Sequence, residues 1–239
     1  MKFKHSLLLL TCILVFINCK VEQKTVFSEI NISTESNTIV EVNIPEASGN
    51  ETVSNQINSH IQKLVITALH IGNPDEITST SVEKSIDSFN NEFNAFKNDF
   101  PESSQLWEAQ IDGEVMYQSS EVISIAITTY TNTGGAHGVL NISFLNFNPE
   151  TGEKIENNQL FNNIKALKKI AESHYIDSSK DKSLILDSEE FKLPENIGYS
   201  EDGIVFLYNT YEIAPYAKRI IEFAIPYEAI ESYLVFNSL

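Results

Sequence analysis

Residues 107–147 read WEAQIDGEVMYQSSEVISIAITTYTNTGGAHGVLNISFLNF. From Trp107 the apolar or small residues fall at every second place: Ala109, Ile111, Gly113, Val115 and Tyr117. A period of two is the mark of a strand with one buried face. This first run suits either a strand pair or one long, bent strand. Val122–Tyr130 and Val139–Phe147 continue as two more strands. Between them stands Thr131-Asn132-Thr133-Gly134-Gly135-Ala136-His137-Gly138. Such a density of glycine implies backbone at positive φ or the close approach of a partner. A phosphate loop would run on into a helix, and here a strand follows. We therefore expect a hairpin, and a candidate binding loop in which Gly134, Gly135 and Gly138 frame the ring of His137.

Upstream, two short strands are predicted at 27–33 and 38–44, joined by the turn-forming cluster Thr34–Asn37 and ended by Pro45. The period then changes. Val53, Ile57, Ile61, Leu64, Val65, Ala68 and Ile71 recur at spacings of three and four, and Gly72-Asn73-Pro74 stops the helix they define. A second helix carries Val82, Ile86, Phe89, Phe93 and Phe96 on one face, and Pro101 closes it. Aromatics at helical spacing read as core.

Downstream, Pro149-Glu150-Thr151-Gly152 is a turn: proline sets φ early and glycine takes the positive φ that follows. Ile164, Leu167, Ile170, Ala171, His174 and Tyr175 form a helical stripe capped by Asn162 or Asn163. Asp177–Ser188 is polar and predicts a loop or a fraying helix end. Strands are expected at 204–208 and 220–225, with a short helix opening at Pro226. The fold class is α+β, mainly antiparallel sheets with helices packed against them, in two subdomains. The expected division is 1–18 signal peptide, 19–26 lipidated cysteine and tether, 27–140 N-terminal subdomain and 141–239 C-terminal subdomain.

The signal-peptide expectation comes from Lys2 and Lys4 followed by a nearly unbroken apolar run from Ser6 to Ile17. That run is too short for a membrane span of about 20 residues. Phe16-Ile17-Asn18-Cys19 is similar to a lipobox, with Asn where a small residue is usual. Cys19 then carries the lipid, and the chain belongs on the bacterial cell envelope, most readily the outer membrane. The chain's other cysteine, Cys12, leaves with the signal. The body thus has no disulfide and no cysteine metal site.

The chain has 33 acidic against 16 basic residues, a net charge of −17. Nucleic acid and anionic headgroups are poor partners for such a surface, and a cationic protein is a suitable one. The five histidines, His5, His60, His70, His137 and His174, show no zinc-binding spacing, and no metal or cofactor is expected. Gly-x-Ser-x-Gly is absent. The segment Tyr208–Ala217 gathers three tyrosines around Pro215, and Tyr211, Glu212 and Tyr216 are further candidate ligand contacts.

Two groups of motifs resemble known families. Glu92-Phe93-Asn94-Ala95-Phe96, Trp107-Glu108-Ala109 and Thr133–Gly138 are similar to the domain that precedes the catalytic module of the PdaC peptidoglycan deacetylase. Phe147-Asn148, Thr151-Gly152, Leu160-Phe161, Tyr211–Ala217 and Ile225-Pro226 resemble the extracellular domain of the lysozyme-sensing anti-sigma factor RsiV. The resemblance implies a two-part α+β module outside the cytoplasmic membrane. The deacetylase's Asp-Asp and His-x-x-x-His metal motifs are missing, and five residues before the apolar run leave no cytoplasmic sigma-binding segment. Arg219, the one arginine of the chain, stands where the family often has glycine. What this leaves is a non-catalytic binding or sensing module for cell-wall glycan or for a wall-active protein such as lysozyme. The alternatives are a hydrolase with an unrecognised acidic site and a structural envelope lipoprotein.

Overall fold

The computed structural model describes residues 24–178, 191–210, 212 and 220–237. Among them the chain forms a six-stranded sheet in the order β1-β2-β3-β4-β5-β6 and a three-stranded sheet in the order β7-β8-β9. The first sheet holds β1 (Val26–Asn31), β2 (Val40–Ser48), β3 (Trp107–Gln118), β4 (Ile123–Thr133), β5 (Val139–Phe147) and β6 (Lys154–Ile155). The mixed α+β architecture and the dominance of antiparallel pairing agree with the alternation in the sequence. One pair, β2 with β3 over Val40–Asn43 and Ala109–Asp112, is parallel, because two helices intervene between them.

Residues 107–118 form one continuous strand, bent by a register shift between Val115 and Tyr117. This settles the choice between a strand pair and a bent strand. A corrected boundary is Pro45. It does not end β2, which runs on to Ser48, with Pro45 opposite Glu29 of β1. Val42 accepts from the Ile32 N–H, so alternate residues of β2 direct their backbone groups at β1. The Pro45 nitrogen falls on the other side, past the last residue paired with β3, where a missing N–H removes no ladder bond. The two-residue strand β6 and the strand β7 (Asn196–Tyr199) carried too little alternation to be predicted.

Two helices cover one face of the large sheet. Helix α1 (Glu51–Leu69) starts at Asn50, whose side chain accepts from the Thr52 and Val53 N–H groups. Helix α2 (Val82–Asp99) starts at Ser81, whose hydroxyl accepts from Lys84 N–H. Ile57, Ile61, Val65 and Ile86 are fully buried against Val42, Ile111, Ile125 and Ile127 of the sheet. Each such side chain contributes on the order of 1.5–3 kcal/mol by leaving water. The phenylalanines of α2 are core, as their spacing implied: the rings of Phe89, Phe93 and Phe96 stand 5.4–5.9 Å from Trp107.

The second sheet adds β8 (Gly203–Tyr208) and β9 (Ile221–Pro226) to β7. Helix α3 (Ile164–Ser178) packs on β9, and Asn163 caps it by accepting from Ala166 N–H at 3.1 Å. The short helix α4 (Tyr227–Ile230) opens at Pro226. Residues 179–190, most of the segment read as a loop or fraying end, lie outside the described residues. The core here is more aromatic, with Phe206 stacked on Phe223 at 5.1 Å and Tyr175 edge-on to Tyr208.

The two layers share residues across the chain's midpoint. Tyr117 and Val122, at the β3–β4 turn, belong to the second core, whereas Leu145 and Phe147 belong to the first. Strand β5 spans the division between residues 140 and 141. Buried polar groups pin the layers together. Ser124 bonds to Asn146 and accepts from Tyr199 N–H at 2.9 Å, and Asn146 donates to the Ile197 carbonyl at 2.8 Å. No described helix is long and apolar enough to cross a membrane.

Candidate functional site

The glycine run is the tip of the β4–β5 hairpin, just beyond the pair Thr131–Val139. Its glycines have local reasons. Gly134 has φ +83°, and its N–H donates to Asn132 Oδ1 at 3.0 Å. Gly138 lies under the Tyr130 ring, where a Cβ would come within 2.4 Å of the ring atoms. A Cβ at Gly135 would make only an ordinary contact, 3.8 Å from the His137 carbonyl oxygen, and Gly135 and His137 are exposed.

A concave surface lies elsewhere, along the outer edge of β5. Helix α1 supplies its first wall. Successive turns beside the buried stripe present His60, Lys63, Leu64, Thr67 and Ala68 to one side. The floor comes from the helix-facing positions of β4 and β5. There the aliphatic ladder gives way to Thr129 and Asn141, a paired couple, and to Ser143 beside Leu145. Lys154, Glu156, Glu195, Asn196 and Asn209 close the far side. The open groove has a volume of about 770 Å³, enough for a ligand of several sugar or amino-acid units.

The edge of β5 is finished by side chains in place of a strand. Asn209 donates to the Ile142 carbonyl at 2.8 Å and accepts from the Ile142 N–H at 2.9 Å, so one amide pairs as a neighbouring strand would. Asn196 accepts from Phe144 N–H at 3.0 Å. Glu212 holds this wall: its carboxylate accepts from Asn209 N–H at 2.8 Å and Glu195 N–H at 2.7 Å. Burial raises the Glu212 pKa, and those two N–H bonds work in the opposite direction.

The groove carries both charges. Lys154 and Glu156 pair at 3.0 Å. Burial, reinforced by Lys154 and Lys63, holds the His60 imidazole below its ordinary range, and Glu156 pulls the other way. The His60 ring is tilted against Phe147 at 5.7 Å. Two lysines facing Glu156 and Glu195 make this a charge-balanced spot on an acidic molecule. The side chains can donate and accept hydrogen bonds along an extended polar ligand. Among the described residues no group of three or more His, Cys, Asp or Glu is placed to hold a metal ion.

Of the residues singled out in the sequence, Gly134, Gly135, His137 and Gly138 sit together at the hairpin tip, and none of them lines the groove. Glu212 braces the groove wall beside Asn209. Cys19, Tyr211 and Tyr216 lie outside the described residues. His60, Lys63, Lys154 and Asn209 went unnoticed because no local spacing links them. Residues 60 and 209 meet only through the packing of both sheets.

The layered sheets with two helices on one face define a two-part α+β module. Within that class, residues 32–140 match the family described as deacetylase PdaC, and residues 147–228 match DUF3298, a protein family of unknown function. Both motif resemblances are thereby met by a family. The fold is that of solved DUF3298 proteins. One from Bacteroides fragilis is 19% identical, with 90% of this chain and 94% of that chain covered and a TM-score of 0.63. Another, from Pseudomonas aeruginosa PAO1, is 18% identical over the same shares, with a TM-score of 0.56. Comparison with the curated proteins gives no match.

Proposed function

We propose that this chain is a lipid-anchored, non-catalytic binding module of the bacterial cell envelope, and that the groove beside β5 takes a polar ligand bearing both charges. Peptide-substituted wall glycan has that chemistry: hydroxyls and amides along its length, with carboxylates and amines on its stems. The observation that carries the reading is the groove itself, where Lys63 and His60 on α1 face Asn141, Ser143 and Asn209 across about 770 Å³. The exposed His137 at the hairpin tip is the rival contact point for the same class of ligand. The net charge of −17 supports a second reading, in which a cationic wall-active protein such as lysozyme is captured by the acidic surface.

Calorimetry at low salt separates these readings. Soluble wall fragments should release heat with the wild type and several-fold less with Lys63→Ala, whereas His137→Ala should bind as the wild type does. Heat with lysozyme alone, abolished at high salt, would favour capture by surface charge. No heat with either would leave a structural envelope protein as the better description.

A further inference from the structure

The position of Lys24 decides which end of the molecule faces a membrane. Lys24 and Thr25 enter the fold beside the β3–β4 turn: Gln118 donates to the Thr25 carbonyl at 2.8 Å, and Thr25 is buried. A cavity of about 480 Å³ is lined there by Lys24, Thr25, Gln118, Ser119, Ser120 and Glu150. The start of α1 lies at this same end, because Val26 pairs with Ser48 at the close of β2. The glycine hairpin lies at the other end, since Trp107 pairs with Thr133 and Gln118 with Ile123 along one continuous ladder.

We propose that the end carrying Lys24, Gln118–Ser120 and Glu150 rests on the lipid surface, and that the hairpin tip at 131–138 points away from it. The inference rests on lipidation of Cys19. Five residue steps separate Cys19 from Lys24, a reach of at most about 18 Å. Strand β3 has 12 residues and is about 36 Å long. The tether is half the length of the module, so the molecule cannot be inverted to bring residues 131–138 down with the Lys24 end held up. The anchored end is chemically suited to headgroups: Lys24 meets a phosphate, while Glu150 and the serine hydroxyls meet an ammonium or a glycerol. The α1 groove then opens sideways, clear of the bilayer.

The test uses the full chain, processed by its host and placed in vesicles of phosphatidylethanolamine and phosphatidylglycerol that contain a nitroxide-headgroup lipid. Ser120→Cys and Gly135→Cys each supply a labelling site, since both positions are exposed and a Cβ at Gly135 makes no contact closer than 3.8 Å. A fluorophore at 120 should lose at least half its emission, and one at 135 should lose none. Equal quenching, or stronger quenching at 135, overturns the orientation. Intact-mass measurement of the same sample checks the premise separately. Absence of acyl chains on Cys19 would sink the anchor, and with it this proposal, whatever the quenching shows.

Discussion

Strand β5 is finished in two different ways along its length. At its start, the hairpin 131–138 is satisfied from within: Asn132 serves Gly134, and Tyr130 covers Gly138. Along residues 142–146, the backbone and side chains are satisfied by Asn209, Asn196 and Ile197, more than fifty residues away. The first region is conspicuous in sequence, and two of its glycines have local backbone reasons. The second is silent in sequence and forms the wall of the polar groove beside α1. Glycine clusters report what a backbone must do locally, whereas the groove is assembled from residues that owe nothing to one another in sequence.

The largest effect should come from cutting the long-range half of this contrast. Asn146 is 1% exposed and bonds to both Ser124 and the Ile197 carbonyl. Asn146→Ala strands buried partners and should cost about 2 kcal/mol. Thermal unfolding would then fall by roughly 4–8 °C for a chain of this size. A shift under about 1 °C would show that the layers do not depend on these bonds.

Gly134→Ala probes the local half. At φ +83° a Cβ is strained, and it would also meet the Gln105 side chain. A loss of about 1 kcal/mol is expected, with the affinity for wall fragments unchanged. A fall in affinity at constant stability would instead make the hairpin part of the site.

Lys63→Ala should weaken fragment binding about tenfold, which corresponds to ~1.4 kcal/mol, while leaving the melting temperature in place. If His137→Ala produces the larger loss, the ligand sits at the tip and the contrast drawn above is reversed.

The smallest effect belongs to Asp87, on α2 beside the turn between β1 and β2. Its carboxylate accepts from the Thr34 hydroxyl at 2.7 Å and the Ser36 hydroxyl at 2.8 Å, and these bonds hold its pKa below the usual range. A carboxyl whose pKa is lowered by folding stabilises the fold above its unfolded value, near 3.9. That contribution is lost as pH falls through the lower folded value. Asp87→Asn should therefore be slightly less stable than wild type at pH 7, and the difference should shrink as pH falls below about 3.9, which denaturant titrations at several pH values would reveal.

The sequence by itself determined the elements and their faces. Period-two alternation in 107–147 required strands, and the spacing of Val53 to Ala68 required an amphipathic helix; Ile71, read as the last of that stripe, lies beyond the helix end at Leu69 and is exposed. Both follow from geometry that operates within a few residues. Pro45 shows the limit of local rules. Proline usually closes a strand, yet β2 continues because the missing N–H lies where no neighbouring strand pairs. That fact depends on the length of the β2–β3 ladder. Tertiary structure alone decided that Asn209 would complete the edge of β5, that Tyr117 would enter the second core, and that His60 and Lys63 would face Asn141. These residues are separated by tens of positions, and nothing in their spacing brings them together. Their meeting is fixed by how two sheets bury their apolar faces, a property of the whole chain that no short stretch carries.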